Sequence, residues 1–265
     1  MNVVLALSGG SAKAAAHVGV VQALSEHGHV PAHYVGTSMG AVVAACFAAG
    51  LTYQEMLVRM VGIRRKDVAV PAARAALGFF GTSFLRGGPL KETIARLVPA
   101  HRFKDLEYPL TVTAVDRATG ELVLFGAGGR EHTPLVDALC ASCALPVYYP
   151  PVTIVGREYM DGGLRSVIPL DVASTFAPDL LVGSYVGPVF YADIGGKAPP
   201  MPALMRVASD VLRITMAAQA EDEMARWTDR AVLVRPQMTS DASFAVARVA
   251  EFVAEGYRAA MRALG

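Results

Sequence analysis

Three short clusters of small and polar residues have the types and spacing for chemistry: Gly36-Thr37-Ser38-Met39-Gly40, Asp161-Gly162-Gly163 and Ser8-Gly9-Gly10-Ser11-Ala12-Lys13. The first is a G-x-S-x-G pentapeptide between a short apolar strand pattern, His33 to Val35, and a long apolar helix pattern, Met39 to Ala49. A serine on so sharp a strand-to-helix turn has its hydroxyl pushed clear of the sheet edge, and Gly36 and Gly40 let the turn close. Ser38 is therefore the candidate nucleophile for acyl transfer.

A seryl hydroxyl needs a base to take its proton. A triad in the order Ser, acid, His can be assembled from Ser38, Asp116 and His132. However, all six histidines lie at or before position 132, and Asp116 reads as the first corner of a hairpin turn. A carboxylate acting alone is the other solution. Asp161 follows a strand pattern directly, and Gly162 and Gly163 behind it allow a tight turn and close approach of another segment. Such a base works best in a sheltered site that raises its pKa from about 3.9. The tetrahedral intermediate also needs hydrogen-bond donors. The loop with Gly9, Gly10 and Ser11 leaves the first strand pattern and opens a helix, so its amides can face developing negative charge. It is neither a Walker A sequence nor a G-x-G-x-x-G. Lys13 either supports this loop or is simply solvated.

The elements that must carry these clusters alternate. Val3 to Leu7 reads as a central parallel strand, Ala12 to His27 as a helix, and Gly50 as the stop of the helix after Ser38. Residues 52 to 106 are a mostly helical insert or lid broken by Pro and Gly. Strand patterns at Pro109 to Val115 and Glu121 to Phe125 form a hairpin, a helix pattern runs from Leu135 to Ala144, and a second hairpin turns at Gly156 before Asp161. Leu180 to Val186 and Val232 to Arg235 are further strands, and Met201 to Arg230 and Phe244 to Leu264 are closing helices, packed on the core or on a second copy of the chain. The alternation predicts an α/β fold, one mostly parallel sheet between two layers of helices, within a single domain of 265 residues.

Composition narrows the partners. Hydrophobic residues make up 53% and charged residues 18%, with a mean hydropathy of +0.39, so a large core, a greasy binding surface or both are expected. No apolar run reaches 18 residues. Lys and Arg number 24 against 23 Asp and Glu, with no basic block, which argues against nucleic acid. Cys46, Cys140 and Cys143 read as buried small hydrophobes rather than a metal or redox site, and the chemistry proposed needs no metal or cofactor. Asn2 to Leu7 reads as a strand and not a signal peptide, which implies a cytoplasmic protein. Ala72 to Leu85, with Phe79, Phe80 and Phe84, reads as core or dimer packing, or as an acyl channel or lid meeting a membrane peripherally beside Arg64-Arg65-Lys66.

Four blocks together resemble the bacterial branch of the patatin-like phospholipases: Leu5 to Lys13 with His17-Val18-Gly19-Val20, Gly36 to Gly40, Ala141-Ser142-Cys143-Ala144-Leu145-Pro146, and Asp161 to Leu164. The resemblance implies an α/β/α sandwich and a lipid acyl hydrolase with Ser38 as nucleophile and Asp161 as base. It assigns the oxyanion hole to Gly9, Gly10 and Ser11, with Lys13, Gly36, Gly40, Gly162 and Gly163 supporting. The chain departs from the family's loop pattern at Ser11, where a third glycine is usual, and at Ala14, where the last one is. A carboxylesterase or thioesterase on soluble substrates, and a lipid- or partner-binding protein with weakened catalysis, are the alternative outcomes.

Overall fold

The computed structural model describes residues 1–72, 83–187, 203–238 and 246–265. The fully buried run β1 (Val3–Leu7) leads through a 3-10 turn, Ser11–Ala15, into α1 (Ala16–Glu26). The strand β2 (His33–Thr37) is followed by α2 (Met39–Ala48), and then α3 (Tyr53–Val61), α4 (Arg65–Val68) and α5 (Gly87–Leu97) fall between residues 52 and 106. The hairpin of β3 (Leu110–Asp116) and β4 (Leu122–Gly126) precedes α6 (Leu135–Ser142) and the hairpin of β5 (Val152–Ile154) and β6 (Arg157–Asp161). The chain closes with α7 (Leu170–Ser174), β7 (Leu180–Ser184), α8 (Ala203–Trp227), β8 (Val232–Val234) and α9 (Val249–Leu264).

Among the described residues the strands form one mixed sheet, hydrogen-bonded in the succession β5-β6-β3-β2-β1-β7-β8, with β4 on the other edge of β3. The β3-β2-β1-β7-β8 run is parallel and the two hairpins are antiparallel. Alternation along β1 divides the core: Val3, Leu5 and Leu7 face the larger cluster with α1, α2, α6 and α9, whereas Val4 and Ala6 face Leu170, Ala173, Ala220 and Met224 of α7 and α8. Helices thus flank both faces of the sheet, the α/β architecture expected.

The placement of Asp161 follows from the edges of β3. The strand β4 pairs with Thr111 to Val115 on one edge, so β2, which pairs with Leu110 to Thr113, must take the other. β6 pairs with Ala114 to Asp116 in the opposite direction, and β4 already occupies the far edge there, so β6 lies on the β2 edge. β2 and β6 therefore meet with their carboxyl ends together, Thr37 opposite Thr113 and Asp161 opposite Ala114.

The helix expected from Ala12 begins as a 3-10 turn, because the backbone of Ser11 is still turning at φ 52°. α7, a five-residue helix, is too short to leave a periodic pattern in the sequence. Gly19 interrupts a helix for a packing reason: a Cβ there would lie 2.0 Å from the Val253 carbonyl oxygen of α9, and one on Gly256 would lie 1.9 Å from that of Ala16. α9 thus packs on its own core at near backbone contact. Of the apolar tract from Ala72 to Leu85, residues 73–82, including Leu77, Phe79 and Phe80, lie outside the described residues. The described flank is held by the N–H groups of Phe84 and Leu85 donating to the carbonyls of Val147 and Tyr148.

Candidate active site

Ser38 lies at the turn from β2 to α2 with φ 54° and ψ −132°, a conformation that L residues rarely adopt. Space for the turn comes from the flanking glycines. A Cβ on Gly36 would lie 2.4 Å from Ala41 Cα, and one on Gly40 2.3 Å from the Ser8 carbonyl oxygen, so α2 approaches both its own strand and the loop after β1. The Ser38 backbone N–H donates to Ser142 Oγ at 2.7 Å. The floor of the turn is hydrogen-bonded through Thr37, whose hydroxyl donates to the Ser166 carbonyl at 2.9 Å and lies 2.7 Å from Thr113 Oγ1.

Asp161 is 2% exposed; its carboxyl accepts the Gly163 N–H at 2.8 Å and lies beside the Ser38 side chain, close enough for the two to interact. Burial pushes its pKa up to about 7, and the Gly163 N–H and the neighbouring Ser38 side chain oppose that rise. Cys143 lies in the same place. Its side chain interacts with that of Ser38, its Sγ is 3.9 Å from Met39 Sδ, and burial first, then the nearby Asp161 charge, holds its thiol well above the usual range. Cys46 and Cys140 are also buried, with thiols pushed up to about 12, so all three cysteines behave as the expected buried apolar groups.

The loop after β1 borders Ser38. Its Gly9 N–H donates to the Val167 carbonyl at 3.0 Å, so within the trio Gly9, Gly10 and Ser11 the first amide is already engaged. Beneath the loop, His17 is completely buried, with Nε2 2.9 Å from the Ser8 carbonyl oxygen and Nδ1 2.7 Å from Ser184 Oγ. A carbonyl can only accept, so Nε2 carries the proton, and burial lowers the imidazole pKa to about 4, keeping it neutral. Lys13 is buried, with its ammonium donating to the Gly187 carbonyl, which corrects the solvated reading of this residue.

Ser38, Asp161, Gly9, Gly10, Ser11 and Lys13 line one pocket, a cavity of about 190 Å³. Met60, Ile63, Val68 and Leu90 supply an apolar wall, and Leu212 and Met216 of α8 close it from the other side. Neither Asp116 nor His132 lines it. The Asp116 carboxylate is used in its own turn, accepting from the Ala118 N–H at 2.9 Å and from Arg157 at 2.9 Å, which removes the histidine triad. Ser142, Cys143 and the α8 residues are the site neighbours that residue patterns did not assign; only the block from Ala141 to Pro146 drew attention to the first two. Among the described residues no group of three or more His, Cys, Asp or Glu could hold a metal ion.

Residues 5–174 match the model of the patatin-like phospholipase family. An uncharacterized NTE family protein of Mycobacterium tuberculosis is 31% identical over 231 residues, covering 83% of this chain and 60% of its own length. The chain thus spans about three fifths of that relative. Patatin-like phospholipase domain-containing protein 7 of Rattus norvegicus is 28% identical over 70% of this chain and 14% of its own. Among solved structures, VipD from Legionella pneumophila superposes with a TM-score of 0.52 at 16% identity, over the whole chain and 66% of VipD, a likeness of fold.

Proposed function

The chain belongs to the patatin-like phospholipase family, and from that premise we propose that it hydrolyses acyl esters of phospholipids or related lipids through Ser38 and Asp161. The observation that carries this reading is the placement of Ser38 beside a buried carboxyl whose pKa is raised to about 7, both lining one cavity. Near neutral pH a large fraction of Asp161 is ionised and yet basic enough to accept a proton. As Ser38 Oγ attacks the ester carbonyl, its proton passes to Asp161 and the carbonyl oxygen becomes an oxyanion, stabilised by the Gly10 and Ser11 amides. Collapse breaks the ester C–O bond, and Asp161 returns the proton to the departing alkoxide. Water then attacks the acyl-enzyme, gives its proton to Asp161, and Ser38 leaves reprotonated.

An acyl chain fits the apolar walls around Ser38. Contact with an anionic lipid surface is supported by α8, whose pocket-lining side carries Leu212 and Met216 while its opposite side exposes Leu204, Val207, Val211 and Ile214, each at least 55% exposed. Arg64, Arg65 and Lys66, exposed beside pocket-lining Ile63, supply the complementary charge. No helix among the described residues is long and apolar enough to cross a membrane.

A panel of phospholipids and soluble esters, run on wild type beside Ser38→Ala, tests the assignment. Turnover that disappears in the variant supports it, and near-wild-type turnover in Ser38→Ala refutes it. Hydrolysis of soluble esters alone would move the substrate class from lipids to small acyl esters.

A further inference from the structure

Three consecutive residues at the end of α6, of which Ser142 is its last, each touch the reactive pair. Ser142, with no exposed surface, accepts the Ser38 backbone N–H on its Oγ at 2.7 Å. Cys143 interacts with the Ser38 side chain. The Ala144 carbonyl accepts the Asp161 N–H at 3.1 Å. One short segment therefore holds the nucleophile by its backbone on one side and the carboxylate by its backbone on the other. We propose that Ser142 to Ala144 is a brace that sets the spacing of Ser38 and Asp161, with Ser142 as its positioning residue. The inference rests on the hydrolase reading above and adds a role for a segment with no chemistry of its own.

The physical basis is the strained turn. Ser38 is held at φ 54°, ψ −132°, where a residue with a Cβ persists only if its surroundings over-determine it. β2 ends at Thr37, and the next N–H is met by a side chain from another element. If the Ser142 hydroxyl is lost, that N–H must find a new partner, and the turn relaxes toward whatever conformation provides one. Ser38 Oγ then moves relative to Asp161, which is tied separately through Ala144. A displacement of about 1 Å between reacting groups can cost on the order of 100-fold in rate. Ser142 does not line the pocket, so substrate binding should be little affected.

Ser142→Ala should lower kcat on a short soluble ester by roughly 10- to 100-fold with KM within about twofold, and should slow labelling of Ser38 by an organophosphonate to a similar degree. Ser142→Thr, which keeps the hydroxyl, should restore most of both. If Ser142→Ala does not fold, Ser142→Cys, close in shape and a poor acceptor, takes its place. A wild type whose turnover depends on Ser38, matched within twofold in kcat and labelling by the folded Ala or Cys variant, overturns the brace alone. A loss confined to KM, or one that Thr fails to restore, also overturns it. A wild type that neither turns over esters nor takes the probe at Ser38 overturns the hydrolase reading and the brace together.

Discussion

Replacing Asp161 by Asn should cost activity and add stability, with a pH dependence that can be worked out from the site. In the folded protein burial raises the carboxyl from 3.8 to about 7. Between those two values the native state holds a proton that the unfolded chain has released, so stability falls as pH rises through the window and levels off above it. At about 1.4 kcal/mol per tenfold in proton affinity, the whole window is worth about 4 kcal/mol. Some of it lies below pH 5, which leaves roughly 3 kcal/mol between pH 5 and pH 9. Asparagine cannot ionise, so the variant lacks this loss. Glu223 is also buried and raised to about 7, and contributes the same sign of slope to both proteins, so it cancels in the difference. Urea unfolding of wild type and Asp161→Asn at pH 5 and pH 9 reads the effect directly. The variant's advantage should grow by roughly 3 kcal/mol over that interval, while kcat falls by at least about 100-fold. In wild type, kcat/KM should rise with pH to a plateau with a midpoint near 7. A stability difference that stays flat between pH 5 and pH 9 would refute the elevated carboxyl, whatever happens to the rate.

The strained turn makes a second comparison informative: Ser38→Gly should be inactive like Ser38→Ala yet more stable by about 1–2 kcal/mol, and equal stabilities in urea would show that the turn stores no strain. Gly19→Ala, which drives a Cβ to 2.0 Å from the Val253 carbonyl, should cost about 1–3 kcal/mol of stability by separating α1 from α9. Its kcat should remain near wild type, and an unchanged urea midpoint would contradict the tight helix contact. On vesicles containing an anionic phospholipid, flotation of the wild type should exceed that of Val211→Glu and Ile214→Glu severalfold and weaken with salt, with soluble-ester kcat unaltered. Equal flotation of all three proteins would exclude the outer side of α8 as the contact.

The raised carboxyl and the neutral imidazole have one origin. Desolvation penalises the charged form of either sign, so it raises Asp161 and Glu223 and lowers His17. That shared cause gives the two residues next to the candidate chemistry their separate parts: a carboxyl able to hold a proton near neutral pH, and an imidazole that stays uncharged and serves as a hydrogen-bonded support beneath the Ser8 to Ser11 loop.

Much was legible in the chain itself because it depends on local chemistry. The apolar runs at Val3–Leu7 and Leu180–Ser184, the glycines on either side of Ser38 and the turn residues at Asp116 and Gly156 dictate strands, an elbow and hairpins whatever the rest of the protein does. Reading along the chain also argued against a histidine base, since no histidine follows position 132. Other features depend on distance in space. Asp161 reaches Ser38 because β6 joins the same edge of β3 that β2 vacates, a consequence of which strands pair with β3 and of nothing near Ser38 in the chain. Burial of Asp161, the seat of Lys13 against Gly187, and the hydroxyl that Ser142 offers to Ser38 arise in the same way. A side chain's type states which bonds it can make, but its pKa and its partners are set by the atoms that exclude water around it, and only the tertiary packing brings those atoms together.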